Sequence, residues 1–151
     1  MTIAVEIETQ ISRPPTEVYA ALTDVERFPE WLIASGITGV ELLDGGPVTV
    51  GTRVRIAQTV GGRSTVLDGT ITEVDPDRAF GLQGRDSDGV SVEIEAALAP
   101  DGDGARLRWA LRIALPLRFR MFESMVAPQV RRAATLDLEA LKRRLESGPA
   151  A

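Results

Sequence analysis

Ile3, Val5, Ile7, Thr9 and Ile11 alternate with Ala4, Glu6, Glu8 and Gln10 at the start of the chain. Successive side chains of a strand point to opposite faces, so a period of two predicts a strand with one buried face. The pattern changes over Ser12 to Glu17, where Pro15 or Thr16 opens a short helix and Glu17 sits in its first turn, which the helix dipole favours for an acid. Val18, Tyr19 and Leu22 give that helix its inner face, and Asp24 is placed to cap a second short helix, Val25 to Leu32, kept irregular by Pro29.

Strands and turns follow as far as Leu115. Gly36 to Leu43 reads as a strand closed by Asp44-Gly45-Gly46-Pro47, and Thr52, Val54, Ile56 and Gln58 alternate with Arg53, Arg55, Ala57 and Thr59 before a Gly61-Gly62 hairpin turn. Thr65 to Val74 ends at Asp75-Pro76-Asp77-Arg78, and Phe80 and Leu82 mark a short strand. Val90, Val92, Ile94, Ala96 and Leu98 then alternate with Ser91, Glu93, Glu95 and Ala97, as do Leu107, Trp109, Leu111 and Ile113 with Arg106, Arg108, Ala110 and Arg112 beyond the turn at 100–104.

After Pro116 the period lengthens. Phe122, Met125, Val126, Gln129, Ala133, Leu136 and Ala140 recur at helical spacing, with Val130, Ala134, Leu138, Leu141 and Leu145 along a flank. One long amphipathic helix is predicted over Leu117 to Glu146, its end marked by Lys142-Arg143-Arg144 and Gly148-Pro149, with Pro128 expected to kink or divide it.

Strands joined by short turns make an antiparallel sheet, and a lone long helix must bury its apolar face against it, which defines an α+β domain over residues 1–147 and a short tail, 148–151. The outward charges predict a strand order. The first strand exposes Glu6 and Glu8, the last exposes Arg106, Arg108 and Arg112, and the one before it exposes Glu93 and Glu95. Opposite charges attract across a strand pair, so the last strand is expected between the first and the penultimate.

Composition narrows the chemistry. The 151 residues include no cysteine and no histidine, which removes disulfides, thiolate nucleophiles, imidazole ligands and Ser-His triads. A net charge of −5 disfavours nucleic acid or an anionic membrane surface as the main partner. No apolar run is long enough for an integral membrane segment, and acids stand where a secretion signal would carry basic residues, so a cytoplasmic location is expected.

The segment ISRPPTEVYAALTDVERFPEWL, from Ile11 to Leu32, resembles the opening of the SRPBCC, or START-like, superfamily in its polyketide cyclase/dehydrase branch. GTITEVDPDRAF at Gly69 to Phe80 and DLEALKRRLE at Asp137 to Glu146 extend the resemblance over nearly the whole chain. It implies a helix-grip fold: a curved seven-stranded antiparallel sheet wrapped around the long C-terminal helix, with two short helices after the first strand. It also implies a cavity for an apolar ligand between sheet and helix. Ring-hydroxylase catalytic subunits of the superfamily bind iron through histidine, which this chain lacks.

The inward strand positions Val54, Ile56, Gln58, Phe80, Leu82, Val92, Ile94, Trp109 and Leu111, facing Phe122, Met125, Val126 and Gln129 of the helix, are the candidate ligand-binding residues. Gln58 and Gln129 are amides on otherwise apolar faces and need partners if buried. Under the family fold, Phe28, Trp31 and Arg118 stand at the cavity entrance. No pair of carboxylates faces inward, the 86–93 segment lacks the ligand series of a calcium loop, and no glycine cluster precedes a helix-opening lysine. The expected function is therefore to bind or carry a small apolar or aromatic molecule, a lipid, quinone or polyketide-like compound, with no metal or cofactor. The alternative is a cofactor-independent polyketide aromatase/cyclase in which Tyr19, Arg118 or the two glutamines act on substrate.

Overall fold

A computed structural model describes residues 2–148. Seven strands run β1 (Thr2–Ile11), β2 (Ile37–Leu42), β3 (Arg53–Val60), β4 (Arg63–Asp75), β5 (Ala79–Asp86), β6 (Ser91–Asp101) and β7 (Gly104–Ala114). Helix α1 (Pro15–Thr23) and a 3-10 helix (Val25–Glu30) follow β1, and a second 3-10 helix (Leu117–Phe122) leads into α2 (Glu123–Ser147). Every strand pair is antiparallel, in the order β1-β7-β6-β5-β4-β3-β2. This is the helix-grip architecture, with β1 returning to lie beside β7.

The charge pattern that predicts this order is realised more fully on one side of β7. Arg108 pairs with Glu6 at 3.3 Å and Arg106 with Glu8 at 3.4 Å. On the other side Arg112 stands opposite Glu93 in register, but among the described residues the two form no ion pair. Exposed pairs contribute at most about 1 kcal/mol, so charge selects the neighbour here more than it stabilises the sheet.

Local signals hold with two exceptions. Pro15 is the first residue of α1, but Asp24 caps nothing with its side chain and pairs with Arg27 at 3.3 Å instead. Its φ of −82° and ψ of 67° depart from the extended backbone a capping side chain needs. The last helical segment is divided, yet at Phe122, where 3-10 geometry gives way to α, and α2 runs on through Pro128.

The face of α2 that meets the sheet differs from expectation. Ala134, Asp137, Leu138 and Leu141 are its buried residues, while Phe122, Met125 and Leu136 are exposed. The helix carries two apolar stripes, and the buried one is the flank. Leu138 and Leu141 complete a core with Val18, Leu22, Val25 and Phe28 from the two short helices and Leu107 from β7.

Candidate functional site

The concave face of the sheet has a filled zone and a hollow one, and each central strand crosses from one to the other. On β3, Val54 is fully packed, whereas Ile56, Gln58 and Val60 line a cavity. On β5, Phe80 is packed and Leu82 and Gly84 line the cavity. On β6 the change falls between Ala96 and Ile94, and on β7 between Leu107 and Trp109. The short helices and the second half of α2 fill one zone, and the first half of α2 only roofs the other.

The cavity has a volume of about 270 Å³. Val92 and Ile94, with Trp109, Leu111 and Ile113, form its floor, Leu67 of β4 adds to one side, and Val126, Gln129, Val130 and Ala133 form its roof. Leu32, Ala34, Ser35 and Ile37 close one flank. Gln129 and Val60 line it while exposed to solvent, which places its mouth between the tip of β3 and the first half of α2. None of the described lining residues is an acid, a base or a tyrosine. A larger hollow of about 460 Å³ on the outer face of the sheet is open and polar, lined by Asp68, Gln83, Arg85, Glu93 and Arg112 among others. It lacks the enclosed apolar surface that binds small ligands.

Of the expected ligand-binding residues, Ile56, Gln58, Leu82, Val92, Ile94, Trp109, Leu111, Val126 and Gln129 come together around this space. Val54 and Phe80 lie in the filled zone, and Phe122 and Met125 point to solvent one turn before the roof residues. The expected entrance dissolves. Phe28 and Trp31 are buried, stacked edge to face at 5.6 Å, and Trp31 stacks likewise on Trp109 at 5.7 Å, so Trp31 backs the cavity wall rather than guarding its mouth. Arg118 donates to the Asp88 carbonyl and lies over the Phe119 ring at 4.8 Å, outside the lining.

The flank formed by residues 32–37 is held from two directions. Asp137 of α2, only 2% exposed, accepts the Ala34 amide at 2.7 Å and the Ser35 amide at 3.1 Å. From β3, the Gln58 side chain donates to the Ser35 carbonyl at 2.9 Å, and the Thr59 amide donates to the Gly36 carbonyl at 2.8 Å. Gly36 has a φ of +79°, and a Cβ there would collide with the Thr59 carbonyl oxygen, so only glycine permits this approach. Burial pushes the Asp137 carboxyl above its ordinary value, and the hydrogen bonds from Ser35 and Ala34 offset part of that. Gln58 thus gives one N–H to the wall, while its Oε1 has no hydrogen-bond partner among the described residues, and Gln129 stands at the mouth.

Asp137 escapes sequence reasoning because its partners lie 102 and 103 residues away. The available signal is an acid standing among Ala134, Leu138 and Leu141 on one helix stripe. Tyr19, the other ionisable candidate, has a buried hydroxyl without a hydrogen-bond partner among the described residues. It lies off the cavity, and burial, then Asp75 and Asp77, push its pKa up.

A sheet curved around a single long helix, enclosing an apolar space, defines a START-like ligand-cavity domain. The chain matches the family described as "Polyketide cyclase / dehydrase and lipid transport" over residues 2–146, and it belongs to that family. The aromatase/cyclase Zhui of Streptomyces sp. R1128 is similar in structure, with a TM-score of 0.78 at 18% identity covering 100% of both chains. A protein of Thermus thermophilus gives 0.77 at 20% identity, covering 95% of this chain and 97% of the other. A START superfamily protein of Mycobacterium smegmatis gives 0.69 at 20% identity, covering 95% and 94%. At these identities the likeness speaks for the fold. No match was found among curated proteins.

Proposed function

We propose that the protein binds one small apolar or aromatic molecule between the sheet and the first half of α2, and holds or carries it without converting it. The observation that carries this reading is the cavity of about 270 Å³ whose described lining has no ionisable side chain. Burying apolar surface is the interaction such a lining offers, at roughly 25 cal/mol per Å² removed from water. The volume sits just below the roughly 300–1,000 Å³ usual for ligand pockets, which favours a compact ring system or a short acyl chain. The family description supports an apolar ligand of lipid or polyketide type. An aromatase/cyclase in the same cavity would have the amides of Gln58 and Gln129 but no acid, base or cation among the described lining to face its substrate, since Tyr19 and Arg118 lie elsewhere.

The test is native mass spectrometry of protein purified from its own host, joined to a thermal-shift screen of quinones, fatty acids and polyketide-like aromatics. A ligand at about 100 times its Kd should stabilise the fold by about 2.7 kcal/mol. Ala133→Phe, which fills the roof, should abolish that shift while the variant still melts cooperatively. No co-purifying mass and no shift with any class would overturn the reading.

A further inference from the structure

The apolar stripe that α2 leaves uncovered begins at the cavity mouth. Met121 is 79% and Met125 59% exposed, Leu117 and Phe122 are exposed beside them, and Leu136 continues the line two turns beyond Gln129. Arginines punctuate this surface. Of the arginines between Leu117 and Leu136, Arg118, Arg120 and Arg132 fall beside this line, while Arg131 projects from another face of α2; Glu123 is the single acid of the segment, in a chain whose net charge is −5. None of these arginines is in an ion pair among the described residues, although Arg118 donates to the Asp88 carbonyl; elsewhere Arg78, Arg85, Arg112 and Arg143 are likewise without one, and Arg13, Arg27, Arg53, Arg55, Arg63, Arg106, Arg108 and Arg144 are paired.

We propose that this face, Leu117 to Leu136, docks on an anionic lipid bilayer and sets the cavity mouth against it. Unpaired guanidiniums beside exposed Met, Leu and Phe side chains match the boundary of a bilayer, where phosphates meet the cations and acyl chains take the apolar tips. The second 3-10 helix alternates the two kinds, Leu117-Arg118-Phe119-Arg120-Met121. A twofold contact with a second copy fits less well, because it would set like-charged arginines against one another. The overall negative charge is no obstacle, since attraction to a charged surface falls off within about 8 Å at physiological salt and so is felt locally. A cargo leaving between Val60 and Gln129 would then pass into lipid without crossing water. That consequence rests on the ligand-binding reading, but the docking itself does not.

Co-sedimentation of the full chain with vesicles tests it, using phosphatidylcholine alone and phosphatidylcholine with phosphatidylglycerol, at low and high salt. Binding should need the anionic lipid and weaken with salt. Arg120→Ala and Arg132→Ala should each weaken it about fivefold, as expected for one cation at such a surface. Met121→Ser combined with Met125→Ser should weaken it at least about tenfold through lost acyl contact. All four positions are exposed, so thermal melts of the variants should match the parent. Failure to sediment with anionic vesicles at low salt would overturn the proposal. So would sedimentation indifferent to the methionine pair, which would leave the face to an acidic protein. A concentration-dependent dimer dispersed by Met121→Asp would overturn it in favour of a second copy. Because no cavity ligand is added, a negative thermal-shift screen leaves this result standing, and a negative vesicle result leaves the ligand-binding reading standing.

Discussion

From Ala134 to Ser147, α2 is fastened on several sides; from Glu123 to Ala133 the same helix roofs a void and shows methionine and phenylalanine-flanked turns to solvent. In the second half, Leu138 and Leu141 enter the core, Asp137 takes two amides of the 32–37 flank, and Arg144 pairs with Glu30 at 3.0 Å. Its last turns are clasped to the end of β1: Glu146 accepts the Ser12 amide at 2.7 Å and pairs with Lys142 at 2.9 Å, and Lys142 donates to the Gln10 carbonyl. In the first half, Pro128 has no amide to give to the Ser124 carbonyl, and the lining side chains meet empty space. The difference assigns stability to one half and adaptability to the other. Local opening is drawn from regions with few buried contacts, so the roof of the cavity is the part of this helix able to move.

Four substitutions measure the contrast by denaturant unfolding. Leu141→Ala, deep in the filled zone, should cost about 2–5 kcal/mol. Asp137→Asn should cost about 1–3 kcal/mol, because an amide cannot accept both backbone donors with the same geometry. Gln58→Leu, which leaves the Ser35 carbonyl unanswered, should cost about 0.5–1.5 kcal/mol. Met125→Ala should change stability by less than about 0.5 kcal/mol. If Met125→Ala proved as costly as Leu141→Ala, the two halves would contribute equally to stability and the contrast would fail.

Two acids of the anchored half, Asp137 and Glu146, give it an opposed pH signature. With the folded-state pKa of Asp137 raised by burial, the folded chain holds that proton more tightly than the unfolded chain, so the Asp137 contribution falls as pH rises from about 3.8 through the raised value. The penalty of Asp137→Asn should therefore be smaller at neutral pH than in mild acid. Glu146 runs the other way. The Ser12 amide, then Lys142, hold its carboxyl below the usual range, so its contribution is present at neutral pH and fades as pH falls through that lowered value. Glu146→Gln should accordingly lose more at neutral pH than in acid, and a penalty growing toward acid would contradict the clasp.

The strands were legible because alternation and charge both act locally: Val92 to Leu98 and Leu107 to Ile113 lie where their period puts them, although Val90 falls just before β6, and Glu6, Glu8, Arg106 and Arg108 announce which strands meet. The helix was legible in length but not in rotation. Phe122, Met125 and Leu136 are as apolar as Val130, Leu138 and Leu141, and periodicity alone cannot say which stripe faces the sheet. What decides it is tertiary: the buried stripe includes Asp137, whose cost of burial is offset by amides from the far side of the chain. The split of candidate site residues between Ile56 and Val54, or Leu82 and Phe80, was equally invisible. Both members of each pair point inward, and only the placement of the short helices determines which of them meets empty space.

The stacked indoles have an optical consequence. The chain has two tryptophans; Trp109 lines the cavity, and Trp31 touches it from behind without reaching the space. Intrinsic emission is therefore a built-in reporter of occupancy. Trp31→Phe would leave a single emitter on the wall, and a quinone or polyketide-like aromatic in the cavity should quench it on contact, so that binding is read from the unlabelled protein.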